Sequence, residues 1–598
     1  MSIVLHIKEA AAKAINQLYN EAIEPNNILV NATKPEFEGD YTIVLFSFVK
    51  QLKKSPEVLG NELGEYLLKN NASLFSSFNI IKGFLNIEVT DAFWLSFIKE
   101  QHNNAEFGIA TKKDNTIMVE YSSPNTNKPL HLGHLRNNFL GWSIAEVLKA
   151  NGNNVVKTCI VNDRGVHICK SMIAWQMFAN DATPESTNSK GDHFVGEYYV
   201  KFNDAYKKEV ETLLAQGHAK EIAEKEAPLM QATQQMLQDW EAGKPDVIEL
   251  WEKMNGWVYQ GFNTTYETIG SDFDKTYYES NTYLLGKDIV QQGLDKKVFY
   301  KKDDGSVWID LTADGLDEKV VMRKDGTSVY ITQDIGLVQQ RYNEYKANES
   351  IYVIGDEQNY HIKVLKLISQ KLGLAGAEGI YHLSYGMVEL PTGKMKSREG
   401  TVVDADDLVE EMINIAKQKT EDLGKVKDFT EEELKELYNI IGLGALKFFL
   451  LRVDPKKKMI FNPEESIDFH GFTGPFIQYT YARIKSIVRK IKGEEKQGEN
   501  DVPQTNNHEL LKLEKELTIQ LEVFPTIINE AAVEHDPSKI AIYVFNIAQV
   551  FNSFYAQHSI SNAENEYKKT LRLQLAQLTA QVIKTGMQIL GIRVPERM

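Results

Sequence analysis

Residues 116–161 carry the pattern that most restricts the fold. TIMVEYSS (116–123) is an apolar run rich in strand-forming residues, and the Pro- and Asn-rich SPNTNKP interrupts it. Leu135, Phe139, Leu140, Ile144, Val147 and Leu148 then recur at helical spacing until NGNN (151–154) closes the helix. NVVKTCIV (154–161) is a second strand run. Strand, helix and strand in that order make a βαβ unit, so the chain is read as α/β with a parallel sheet.

A chain of 598 residues needs more than one core, since single cores rarely pass about 250–300 residues. Residues 1–112 are expected to form a small α/β N-terminal domain, with helical patterns at 8–22, 57–69 and 91–101 and strand runs at 41–48 and 83–89. The parallel-sheet domain follows in two halves, 113–180 and 291–405, split by an inserted, charged helical subdomain at 181–290. Sheet-like pattern returns at VFYKKDDGSVWIDL (298–311) and SIYVIGD (350–356). A helical connector (406–460) and an α-helical domain (461–598) complete the chain, with a polar loop expected at 492–509.

No run of about 18 apolar residues suggests a membrane span. The first 22 residues read as an amphipathic helix rather than a signal peptide. Two cysteines, Cys159 and Cys169, provide no disulfide framework, which fits a cytoplasmic protein. A net charge of −16 argues against a generic nucleic-acid coat and leaves room for a local basic surface.

The junction KPLHLGHLRNN (128–138) sets two histidines around a glycine where loop becomes helix. Zinc would need two more ligands, and neither cysteine lies in a CxxC or HExxH context. Core packing suits one histidine better than two at a loop. An anion at the helix N-terminus is a third reading, and ATP is a fourth. Gly133 would admit adenine against the backbone, while His131 and His134 offer N–H donors to phosphate oxygens. A pyrophosphate leaving group needs charge from both sides, and PTGKMKSREGTVVDADDLV (391–409) supplies Lys394, Lys396 and Arg398 beside glycines.

With both stretches in view, HLGH and KMKSR resemble the HIGH and KMSKS signatures of class I aminoacyl-tRNA synthetases. The wider resemblance is to arginyl-tRNA synthetases and runs nearly end to end. It includes GDHFVGEYYVKF (191–202), VMRKDGTSVYITQDIG (321–336), GDEQNYHIKVL (355–365), GFTGPFIQYTYARI (471–484) and GMQILGIRVPERM (586–598). The resemblance implies a Rossmann-like catalytic domain and an anticodon-binding helical domain. It also implies arginine activation by ATP with Mg²⁺, transfer to tRNA-Arg, and activation that depends on tRNA. The N-terminal domain is expected to touch the tRNA elbow.

A guanidinium is best held by carboxylates that accept paired hydrogen bonds. Glu120 ends the first strand run, while Tyr330 and Asp334 lie four apart at a helix start and share a face. One acid from each half of the split domain would make an anionic socket. The resemblance implies that Glu120, Tyr330 and Asp334 hold the substrate guanidinium. Ser123, Asn125 and Gln358 would contact its amino and carboxyl ends, with His134 close by. By the same resemblance Pro129, Gly133, His131, His134, Met395 and Ser397 bind ATP, and His131, His134, Lys128, Lys394 and Lys396 serve catalysis. His361 reads equally well as a structural histidine. Asn162, Asp163 and Gly165 match a family turn that is more structural than catalytic. No metal ion held by protein ligands is expected, and the chain is expected to act as a monomer.

All arginine codons have G second, so C stands at the middle of every matching anticodon. A reader of single-stranded bases needs aromatic platforms and edge donors. Tyr479, Tyr481, Arg483, Asn546, Phe551, Asn552, Phe554 and Tyr555 are available, and Tyr479, Arg483, Asn552 and Tyr555 are the expected contacts. Two departures stand out. NDRG (162–165) replaces the family's commoner Asn-Asp-Trp-Gly, and Ser397 replaces the second signature lysine, leaving Lys396 or Lys128 to supply its charge. Rival readings are a simpler nucleotidyltransferase, an inactive RNA-binding relative, and a synthetase for another amino acid.

Overall fold

The computed structural model describes residues 2–34, 36–389, 391, 403–424, 428–494 and 509–598. Its centre is a five-stranded sheet of β1 (Thr116–Glu120), β2 (Asn154–Val161), β3 (Lys275–Tyr278), β4 (Glu349–Gly355) and β5 (Ile380–Tyr385). All neighbours are parallel, in the order β5-β4-β1-β2-β3. Strand order therefore reverses between β1 and β4. In a doubly wound sheet the crevice outside the carboxyl ends of those two strands is where ligands bind.

The helix after β1, α1 (Leu132–Ala150), is buried nearly all round because it lies between the sheet and the C-terminal helices. Two of its polar residues are matched to the sheet side, while Arg136 donates to the Pro455 and Lys457 carbonyls and Ser143 to that of Ile589. Asn137 accepts from the Ser122 N–H at 2.5 Å and donates to the Val353 carbonyl at 2.7 Å, while Asn138 donates to Ser122 Oγ at 3.1 Å. These two side chains tie β1 to β4 and set the height of α1. Gly141 is required where α1 crosses Tyr121, since a Cβ there would lie 2.3 Å from the Tyr121 side chain.

The insertion is a helical layer including α2 (Gly191–Ala215) and α3 (Pro245–Ile269). The sequence pattern ends it near residue 290, but the chain rejoins the sheet earlier, at β3. That strand, KTYY, is too short and polar to show as an apolar run. The expected sheet pattern at 298–311 forms a separate antiparallel sheet of Tyr300–Lys301, Val307–Ile309 and Lys319–Met322. Beyond it come α4 (Tyr330–Tyr345) and, after β5, α5 (Ala405–Asp422).

The N-terminal unit has its own core and a four-stranded antiparallel sheet. Its second strand stops at Val44, not 48, and Phe46–Leu52 is helical. Leu45 and Phe48 are both buried at a spacing of three, which a strand cannot satisfy. The described part of the C-terminal domain is helical and includes α6 (Gly474–Glu494) and α7 (Ser538–Gln557). Its hydrophobic core is continuous with that around α1. It also holds the N-terminal unit through Glu522 on the Ile3 N–H (2.7 Å) and Lys515 on Asp40 (3.0 Å). Among the described residues, no helix is long and apolar enough to cross a membrane.

Gly141→Ala should cost about 1–3 kcal/mol, because Tyr121 must move out of a packed core. Urea unfolding of the two proteins side by side checks this, and an unchanged midpoint would contradict the close crossing.

Candidate active site

At the carboxyl end of β1 the chain leaves the sheet through two left-handed residues, Ser122 (φ 77°) and Ser123 (φ 47°). Such conformations are costly for non-glycine residues and survive only where surrounding contacts enforce them. Here Asn137, Asn138 and the Tyr266 hydroxyl (2.7 Å from Ser122 Oγ) do so. The loop then runs beside the end of β2, where the Thr126 N–H reaches the Asn162 carbonyl at 3.1 Å.

His131 is the N-cap of α1, and the two histidines form a capping box. His131 Nδ1 accepts from the Gly133 N–H at 3.1 Å, and His134 Nδ1 accepts from the His131 N–H at 3.1 Å. The rings lie 3.9 Å apart between centroids, inclined at 39°. Because each Nδ1 is an acceptor, each neutral ring carries its proton on Nε2. Burial, together with Lys128, pushes the His131 pKa down to about 3. His134 is also held well below the ordinary histidine value, by burial, His131 and Lys128, and burial also lowers the Lys128 ammonium. At neutral pH the pair is thus two uncharged Nε2–H donors beside a lysine. A Cβ at Gly133 would lie 3.0 Å from the His131 ring, so a larger residue would press on that ring.

A cavity of about 1120 Å³ opens across the ends of β1, β2 and β4; Asn125 is in its wall, while Lys128, Pro129, His131, Gly133 and His134 are not among its lining residues. Asn125, Tyr330, Asp334, Gln358 and His361 line it together, so the sequence-predicted residues from both halves of the split domain do converge. Tyr330 is 73% exposed, at the first turn of α4. His361 Nε2 lies 2.6 Å from Asp334 Oδ2, and this bond raises the histidine pKa.

Glu120 and Ser123 do not line that cavity. Glu120 is 5% exposed, on the middle strand, and its carboxylate is bonded by the Arg341 guanidinium of α4. Arg341 also lies against the Tyr277 and Tyr352 rings, at 4.8 and 5.7 Å. A carboxylate in that position is too costly to leave unpaired, and Arg341 meets the need. The socket expected between Glu120 and Asp334 is therefore drawn differently. Besides Asp334 the cavity wall holds two acids, Glu241, which is paired with Arg164, and Glu279, which begins the turn after β3. Burial and the charges of Asp163 and Asp334, against an opposing Arg164, push its pKa up to about 7. Sequence reading missed Glu279 because β3 left no apolar signal. It missed Arg164 too, which lines the same cavity, pairs with Glu241 at 2.5 Å and lies 4.1 Å from the Tyr283 ring.

Asp163 is structural, as its turn suggests. It is buried and accepts from Ser280 N–H (2.8 Å), Ser280 Oγ (2.7 Å) and Tyr259 OH (2.8 Å), binding the insertion to the end of β2. Lys394, Met395, Lys396, Ser397 and Arg398 lie outside the described residues. The chain just after them is anchored to the histidine loop: Leu132 N–H donates to the Val403 carbonyl (3.1 Å) and Ala405 N–H to the Leu130 carbonyl (3.0 Å).

In the C-terminal domain, Tyr479, Arg483, Asn552 and Tyr555 are half-buried on the facing helices α6 and α7. Arg483 donates to Asn552 Oδ1 at 2.8 Å and lies 4.9 Å from the Tyr479 ring, and Tyr555 stacks on Phe551. Tyr481, Phe551 and Phe554 are buried and belong to the core, and Asn546 is exposed.

Three family descriptions match the chain: "Arginyl tRNA synthetase N terminal domain" at residues 5–89, "tRNA synthetases class I (R), catalytic domain" at 98–462, and "DALR anticodon binding domain" at 477–598. The arginine–tRNA ligases of Flavobacterium psychrophilum and Amoebophilus asiaticus are 53% and 51% identical to it, over the whole of each chain. In fold it is similar to the arginyl-tRNA synthetase of Thermus thermophilus, with a TM-score of 0.78 at 23% identity over 99% of both chains. The enzyme of Plasmodium falciparum gives 0.77 at 18% identity, over 100% of this chain and 99% of that one.

Histidine-selective NMR should find His131 and His134 as neutral Nε2–H tautomers from about pH 5 to about pH 8, while His361 holds its proton to higher pH than a free histidine. Because their folded-state pKa values are depressed, His131 and His134 should also make the protein less stable as pH falls below about 6.5. Titration of either ring near neutrality would contradict the capping geometry.

Proposed function

The chain belongs to the class I arginyl-tRNA synthetase family, and on that footing we propose which of its residues carry each part of the reaction. It is an arginine–tRNA ligase: it activates L-arginine with ATP to arginyl-adenylate and transfers the arginyl group to the 3′-terminal adenosine of tRNA-Arg. The observation that carries this is identity above half to an arginine–tRNA ligase over the full length of both chains.

Activation needs no protein nucleophile. The arginine carboxylate attacks the α-phosphorus of ATP in line, the bond to the bridging oxygen breaks, and pyrophosphate leaves. The protein positions the reactants and stabilises charge on the phosphate oxygens. His131 and His134 present Nε2–H donors to those oxygens, and Lys128 adds a positive charge beside them. Lys394 and Lys396 add further positive charge to the phosphates, Met395 and Ser397 contribute to nucleotide binding, and Pro129 and Gly133 give the nucleotide a flat seat. Mg²⁺ enters on the phosphates of ATP, as part of that substrate. What supports Lys128 as the replacement for the absent signature lysine is its nearness to both rings, felt in the lowering of their pKa.

The guanidinium lies against Asp334 and Tyr330, with Glu279 as the second carboxylate. Burial, with Asp163 and Asp334 adding to it, raises the Glu279 pKa to about 7, and a cation set beside the carboxylate would relieve that cost. Glu120 acts through Arg341, holding the base of α4 that presents Tyr330 and Asp334. Asn125 and Gln358, which share the cavity wall with Asp334, face the amino and carboxyl ends. In the transfer step a hydroxyl of the terminal adenosine attacks the activated carbonyl and AMP leaves. Tyr479, Arg483, Asn552 and Tyr555 read the anticodon loop, and the N-terminal domain touches the tRNA elbow. The enzyme acts as a monomer in the cytoplasm, a setting that suits its two buried, unbridged cysteines.

ATP–pyrophosphate exchange tests the assignment. Arginine should support exchange only when tRNA is present, and exchange with lysine or with no amino acid would overturn it. Asp334→Asn should weaken arginine binding by about 1.5–3 kcal/mol, the worth of a charge-assisted bond, read as a higher KM for arginine. Lys128→Met should cost roughly 2–4 kcal/mol in the activation step, and a near-wild-type rate would pass its role to Lys396.

A further inference from the structure

The motif GDHFVGEYYV (191–200) opens α2 and takes no part in the chemistry above, yet it packs against the histidine loop. Gly196 lies under Pro129, where a Cβ would stand 2.8 Å from Pro129 Cδ and 3.6 Å from Lys128 Cα. One turn earlier, a network of charges joins α2 to the start of α5. Lys190 Nζ donates to Asp406 Oδ2 (2.5 Å), Thr265 Oγ1 (2.5 Å) and Asp192 Oδ2 (3.2 Å). His193 Nε2 lies 3.0 Å from Asp406 Oδ2 and 3.4 Å from Asp404 Oδ2, and Thr265 Oγ1 donates to Asp406 Oδ1 at 2.9 Å.

The far side of this network reaches the first signature. Asp404 caps α5, accepting from the Asp406 N–H at 2.8 Å, and the residues on either side of Asp404 bond Leu130 and Leu132. His131 is therefore flanked by two backbone bonds to the 403–405 turn, while Gly196 supports the loop from the other face. Both supports are fastened to each other by Lys190, His193 and Asp406. Asp192, His193 and Asp406 have spacing that would suit a cation, but the Lys190 ammonium already bonds two of the three. Plain domain adhesion would be served as well by apolar contact, since part-buried ion pairs recover little net free energy against their desolvation. What charges add is a defined geometry, and the branch through Asp406 and Asp404 leads to the turn that flanks His131, while those to Asp192 and Thr265 tie in α2 and α3.

We infer that Lys190, His193 and Asp406 are positioning residues for the activation step: they fix the height and tilt of the loop that carries His131 and His134. The inference rests on the ligase reading.

The test is tRNA-dependent ATP–pyrophosphate exchange by the full-length protein, with melting temperature measured alongside. A shift of about 1 Å in a catalytic group can cost on the order of a hundredfold, so Asp406→Asn should lower kcat by about tenfold to a hundredfold. Its KM for arginine should stay within about twofold and its melting temperature close to wild type, because the acids that hold the guanidinium are untouched. Lys190→Arg should retain most of kcat, and Lys190→Met should lose as much as Asp406→Asn. An unchanged kcat in Asp406→Asn, or a loss matched by a rise in the KM for arginine, would overturn the inference. Should Asp406→Asn melt well below wild type, His193→Gln decides: a reduced kcat at unchanged arginine KM supports the role and an unchanged kcat removes it. Failure of the wild type to exchange with arginine would sink the ligase reading itself, and is thus distinct from failure of the variants.

Discussion

The geometry at the first turn of α1 depends on two imidazoles used as backbone caps. A helix start leaves N–H groups that need acceptors, and His131 and His134 meet that need with their Nδ1 atoms. The same bonds decide where each proton sits, so capping fixes the tautomer that the proposed phosphate contact would use. Burial, with Lys128 nearby, keeps both rings neutral. Donor direction is thus set before any substrate arrives, which is the condition for electrostatic stabilisation without reorganisation. The loop owes its place to the strand order: at the reversal between β1 and β4, the chain after β1 meets the residues after β4.

The acids divide by cost. Glu120 lies in the middle of the sheet, where an unpaired carboxylate would be prohibitive, and Arg341 satisfies it permanently. Asp334 and Glu279 border open space and remain only partly compensated, Asp334 by His361 and Glu279 by Arg164. A buried ion pair that sets the base of α4, together with under-compensated acids at the cavity wall, is the arrangement a cationic substrate would complete.

Much of this was legible in the sequence. The βαβ unit, the histidine loop and the convergence of Asn125, Tyr330, Asp334 and Gln358 follow from strong periodicity and from motifs whose chemistry demands their spacing. What stayed hidden has physical causes. The strand KTYY is short and polar, so the insertion looked longer than it is and Glu279 had no visible frame. Phe46–Leu52 switched from strand to helix because Leu45 and Phe48 share one buried side. The partner of Glu120 lies 221 residues away and belongs to a helix whose polar face gave no hint of a buried arginine. Among the aromatics of the last domain, only burial separates core members such as Phe551 and Phe554 from the half-exposed Tyr479 and Tyr555.

The central claim is that the Nε2–H of the capping histidines acts on phosphate and not on arginine. Single-turnover formation of arginyl-adenylate by His134→Asn, with arginine affinity measured on the same protein, tests it most directly. Asparagine can still accept the His131 N–H but lacks the Nε2 donor. The account predicts a rate lowered by roughly a hundredfold or more with arginine affinity nearly intact. An unchanged rate, or an equal loss in arginine affinity, would contradict it.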